Sequence, residues 1–129
     1  MAFNSRYFTL DEAQSLLKEL LNDLSRLVEL KKNLDEKRYD IYRHEYFGGS
    51  GPNGTKLYPP ELEELVSIAQ RFATEGVMVK SLDEGLIDFP HIRKNGDRVL
   101  FCYKLGEDEI FYWHPLESGF AGRRSVTQL

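Results

Sequence analysis

A single cysteine, Cys102, stands in this chain of 129 residues, so no internal disulfide can form. One isolated thiol in a small protein favours a reducing compartment. No stretch approaches the roughly 18 consecutive apolar residues of a membrane-spanning helix. The opening MAFNSRYFTLDEAQ lacks the basic and then apolar regions of a signal peptide. These absences together lead us to expect a cytoplasmic protein with no membrane association. HExxH and CxxC patterns are missing, and His44, His91 and His114 include no i, i+4 pair. That excludes the common zinc motifs. There are no internal repeats. Excess positive charge is missing too: the formal net charge is −4, which argues against broad binding to phosphate backbones. Only Arg93-Lys94 and Arg123-Arg124 speak for nucleic acid, and we expect none.

What is present suits one domain. The chain is of ordinary domain length. It is 41% hydrophobic, with eight phenylalanines and seven tyrosines, enough for one core. Thr9-Leu10-Asp11-Glu12 fits a capping box, in which Thr9 and Glu12 satisfy each other's backbone donors. Apolar residues then recur at Leu10, Ala13, Leu17, Leu20, Leu24, Leu27 and Leu34, with Lys31 at the skipped heptad position. This 3-4 spacing predicts an amphipathic helix of coiled-coil type over 8–45. Residues 46–60 form a loop by their glycine and proline content. A second helix, 61–75, carries a matching seam and stops at Gly76. The two read as an antiparallel helical hairpin.

From 77 to 124 the period changes to two. VMVK, GLIDFP, DRVLFCYK and EIFYWH read as short strands, the second ended by Pro90, with Asn95-Gly96 marking a hairpin turn. The expected fold is α+β: a long helical hairpin followed by a small, mostly antiparallel sheet. A three-residue loop centred on Glu107 would set Cys102 opposite Tyr112, Phe101 opposite Trp113 and Leu100 opposite His114. Val99, Phe101, Tyr103, Phe111 and Trp113 would then face the core. Arg98, Leu100, Cys102, Lys104, Ile110, Tyr112 and His114 would share the other, mixed face.

Some motifs read as architecture. GSGPNGTK resembles a phosphate loop but lacks its Gly-Lys-Ser/Thr order and follows a helix. Cys102, in mid-strand, reads as a small packed side chain. Gly119 and Gly122 allow a sharp turn or a close approach. Phe120 would then plug the core, and Arg123 would bond an internal carboxylate such as Asp88 or Glu117.

YFTLDEAQSLL, GLIDFP, CYKLGEDEI and WHPLESGFAGR together resemble a family of small prokaryotic proteins, the domain-of-unknown-function family numbered 2203. The resemblance runs from Tyr7 to Arg123. It implies no activity. It does mark Asp88, Glu107, His114, Gly119, Gly122 and Arg123 as matching positions. Members carry Trp-Arg where this chain has Tyr103-Lys104, so no arginine-specific role is expected at 104.

Two functional readings follow. The preferred one is a non-enzymatic module that self-associates or docks a protein partner through its long helix. Residues 10–44 offer about five heptads of apolar seam and 61–75 only about two, leaving a stripe uncovered. The alternative is a small-molecule or metal site at the C-terminal corner. There Arg123 would clamp an anion, Asp88, His114 and Glu117 would serve as ligands or an acid/base pair, and Trp113 or Tyr112 would form a wall. The sequence identifies no cofactor.

Overall fold

The computed structural model describes residues 6–42 and 58–129. Most of the glycine-rich connector, with GSGPNGTK and His44, lies outside the described residues.

Helix α1 spans Leu10–Glu36, 27 residues, or about 40 Å. Both arms of the capping box are made: Glu12 N–H donates to Thr9 Oγ1 at 3.1 Å, and Thr9 N–H donates to Glu12 Oε1 at 2.8 Å. The helix ends nine residues before the expected 45, which is a correction. Arg38 takes a left-handed conformation, φ 60°. Its N–H donates to the Asp35 carbonyl, and Tyr39 N–H reaches back to the Leu34 carbonyl, both at 2.9 Å. That is a Schellman stop. Tyr39 and Ile41 then pack against the core, which directs the chain away from the helix axis.

Helix α2, Pro60–Glu75, opens on proline and closes on Gly76, which is left-handed at φ 85°. Asp23–Arg71, Arg26–Glu64 and Lys37–Glu61 pair across the helices. Such exposed pairs contribute little. Apolar burial contributes more: Leu17, Leu20, Leu24, Leu27, Leu30 and Leu34 are all at most 2% exposed, each supplying about 1.5–3 kcal/mol. The stripe expected to need an outside partner is therefore covered within the chain. The exposed positions of α1 are polar, among them Lys18, Glu19, Asn22, Ser25, Glu29 and Lys32. Lys31, at the skipped heptad position, is buried and bonds Asp35 and Asp83 at 2.7 and 2.9 Å.

Five antiparallel strands follow in sequential order: β1 Met78–Ser81, β2 Leu86–Ile92, β3 Arg98–Lys104, β4 Tyr112–Pro115 and β5 Arg124–Ser125. The class is α+β. Strand β2 runs through Pro90 instead of ending there, and the Pro90 carbonyl accepts from Phe8 N–H at 2.7 Å. The expected register of the last hairpin holds, with Leu100 opposite His114, Phe101 opposite Trp113 and Cys102 opposite Tyr112. Ile87, Phe89, Val99, Phe101, Tyr103 and Trp113 join the helices in one core.

Phe111 does not join them. It is 39% exposed, while Ile110 is fully buried. The reason is Gln14 on α1, whose side-chain amide donates to the Ile110 carbonyl at 3.0 Å and accepts from its N–H at 2.9 Å. That clamp draws Ile110 inward and delays β4 until Tyr112. No helix among the described residues is long and apolar enough to cross a membrane.

Candidate metal centre

Strand alternation places Asp88, Leu100, Cys102, Tyr112 and His114 on the sheet face turned away from the helices. Asp88 lies directly opposite Cys102 across β2 and β3, and His114 lies opposite Leu100 across β3 and β4. Cys102 and His114 are therefore diagonal neighbours, close enough for side chains to meet. Meet they do: one ligand atom from each of Asp88, Cys102 and His114 lies within 4.8 Å of the others. All three side chains are buried, at 2%, 0% and 2% exposure.

A corner of the chain closes this side. Gly119 takes φ 64°, and a 3₁₀ turn follows over Phe120–Gly122. A side chain at Gly122 would stand 2.3 Å from Ser118 Oγ, so only glycine fits there. The turn delivers Arg123, whose guanidinium stacks 4.0 Å from the Tyr112 ring centre and 4.5 Å from that of Phe120. Arg123 bonds both carboxylate oxygens of Glu107 at 2.7 and 2.8 Å and approaches the Cys102 carbonyl at 3.4 Å. Glu107 in turn accepts from Lys104 N–H at 2.7 Å. Arg123 thus does bond an internal carboxylate, and that carboxylate is Glu107.

Within the trio, His114 Nδ1 donates to the Pro115 carbonyl at 2.7 Å, because a carbonyl can only accept. Nε2 then faces Asp88 Oδ2 at 3.3 Å. Two bare lone pairs would repel across that gap, so one proton is shared between carboxyl and imidazole. Asp88 Oδ1 is buried without a hydrogen-bond partner of good geometry, although the Cys102 thiol interacts with the Asp88 carboxyl. Burial pushes the Asp88 carboxyl above its ordinary range, and His114, then Cys102 and Lys80, pull it partly back. Burial, and next the Asp88 charge, push the Cys102 thiol up to about 12. Without a metal the thiol stays protonated and is a poor nucleophile.

Chemically this is a nitrogen, oxygen and sulfur set. Nδ1 is tied to a backbone carbonyl, the usual outer support of a metal-binding histidine, and it fixes the tautomer that presents Nε2. Mixed imidazole, carboxylate and thiolate ligands suit zinc and its neighbours better than magnesium or calcium.

The expected site residues divide. Asp88 and His114 converge. Glu107 and Arg123 form their own pair beside them. Trp113 points into the core, 1% exposed, and is no wall for the trio. Glu117 is exposed and lines a separate hollow with Arg93, Arg98 and Arg124. In the sequence Cys102 reads as packing, although the hairpin register sets it on the face of His114. The missing link was the pairing of β2 with β3, which brings Asp88 opposite it.

The chain belongs to the family of uncharacterized conserved proteins DUF2203, whose family model matches residues 6–126. No curated protein and no solved structure matches it.

Proposed function

For this member of an uncharacterized family, we propose a metal-binding role in which Asp88, Cys102 and His114 hold one zinc-type divalent ion. The carrying observation is the convergence of three buried ligand atoms of different chemistry, within 4.8 Å, beside a buried carboxylate oxygen with no partner of good geometry. Buried polar atoms ordinarily find partners. A cation would replace the shared proton and the thiol proton and satisfy the carboxylate. Zinc takes four ligands, so three from the chain leave one position.

The trio is closed to solvent, which favours a held ion over substrate turnover. An ion there would tie β2, β3 and β4 together, and its binding energy would add to folding stability. A thiolate ligand also fits a reducing, cytoplasmic setting. Self-association through α1 stands as a separate proposal, and among the described residues α1 offers no free apolar stripe to carry it.

Zinc added to chelator-treated protein tests the reading. At 100 times the dissociation constant it stabilises by about 2.7 kcal/mol, a rise in melting midpoint of roughly 10 °C for a chain of this length. Cys102→Ser and His114→Gln lose that rise, whereas Glu117→Gln keeps it. No rise in the unsubstituted protein overturns the proposal.

A further inference from the structure

A second place in the molecule gathers charge without using it. Arg93 follows β2, Arg98 opens β3 and Arg124 opens β5. The meander brings all three around one hollow of about 520 Å³, shared with Asp97, Trp113 and Glu117. The Arg93 guanidinium carbon lies 4.8 Å from the Trp113 ring centre and that of Arg124 lies 5.2 Å from it. Both cations thus rest on one indole, whose π face partly offsets their repulsion.

The remaining compensation is thin. Two carboxylates line the hollow against three guanidiniums. Arg93 meets Asp97 only at 3.7 Å, beyond hydrogen-bond length. Asp97 is also engaged by the Asn95 amide at 3.2 Å. Arg93 Nε–H is buried with no acceptor. Arg98 and Arg124 carry no ion pair among the described residues. Each guanidinium offers five donors in a planar fork. What the hollow lacks is an anionic acceptor with several oxygens, able to meet more than one of these forks.

We infer that this hollow binds the phosphoryl group of a small phosphorylated molecule. A phosphoryl group is an anion that presents several oxygens to several forks at once. A nucleic-acid backbone has the same group. Single-strand binding, however, uses exposed aromatic rings on which bases stack, and Trp113 is 1% exposed. The site is independent of the trio, since none of its residues is a proposed metal ligand.

The test is calorimetric titration of the chelator-treated full chain with pyrophosphate, and separately with a single-stranded oligonucleotide, both in chloride buffer. Arg98→Gln and Arg124→Gln, which leave the partly buried Arg93 in place, are titrated alongside, with melting midpoints confirming that they fold. The proposal expects saturable pyrophosphate binding, weakened about tenfold by either substitution, the worth of one charge-assisted hydrogen bond. It expects no comparable oligonucleotide binding. Absent pyrophosphate binding, or binding indifferent to both substitutions, overturns it. Oligonucleotide binding without pyrophosphate binding assigns the arginines to a nucleic-acid backbone and overturns it equally.

Discussion

His114 Nε2 stands 3.3 Å from Asp88 Oδ2, while Nδ1 of the same ring is committed to the Pro115 carbonyl at 2.7 Å. One proton therefore serves the pair, and a second sits on the Cys102 thiol, held there by its raised pKa of about 12. Binding a cation expels both. Zinc binding near neutral pH should release about two protons per ion. Calorimetric titration in two buffers of different ionisation enthalpy counts them. A count near zero means that the thiol and the pair are not the ligands.

The Asp88 carboxyl is raised by burial above its ordinary 3.8. In the metal-free protein the folded state thus holds this proton more tightly than the unfolded state does. The associated stability is fully present below the ordinary value and is lost as pH rises through the raised one. Asp88→Asn mimics the protonated acid and does not titrate. Metal-free wild type and Asp88→Asn should be nearly alike in stability at the acid end. The substituted protein should gain on wild type as pH rises through the raised value, as chemical denaturation at several pH values reads directly. A constant difference across the range contradicts the assigned shift. With zinc bound the order should reverse, because the amide is a poor ligand.

Glu107 and Arg123 are both largely buried, 21% and 13% exposed, at 2.7 Å. Removing either leaves the other's charge short of partners. Glu107→Ala should cost about 2–3 kcal/mol, and Arg123→Ala a similar amount. The double substitution should cost clearly less than the two added together, which a double-mutant cycle by denaturant unfolding measures. Additive losses would mean that the pair does not act as a unit.

Arg38 holds a left-handed conformation at φ 60°, which costs a residue with a side chain about 1–2 kcal/mol. Arg38→Gly should stabilise the protein by roughly 0.5–1 kcal/mol, the glycine's own unfolded-state entropy offsetting part of the relief. Thermal unfolding checks it. A loss of stability would mean that the helix does not stop in this way.

Much of the fold was legible because its signals are local. The capping box at Thr9, the leucine spacing and the Gly76 stop each depend on a few neighbouring residues. The register of the last hairpin follows from alternation and one turn. The end of α1 was harder, because polar and helix-compatible residues continue past Glu36. What stops the helix is Tyr39 and Ile41 folding back onto the core, a tertiary effect. Phe111 was misplaced for a similar reason, since Gln14 acts from 96 residues away. At the site, the sequence grouped Asp88 and His114 as candidate ligands of one corner but held no local signal for the strand pairing that brings them together. Cys102 was hidden by its blandness, for a thiol in mid-strand reads as packing until a strand pairing sets an aspartate opposite. Glu117 misled because nearness to His114 in sequence does not carry across the corner at Pro115.

In the proposed site one thiolate, one imidazole and one carboxylate of this chain share a metal ion. Cobalt titration of the chelator-treated protein tests it most directly, since cobalt occupies zinc sites and reports its ligands by colour. A thiolate-to-cobalt charge-transfer band should appear, saturate at one ion per chain, disappear in Cys102→Ser and be displaced by zinc. A spectrum that stays that of the free aqueous ion, with the protein folded and the thiol reduced, would contradict it.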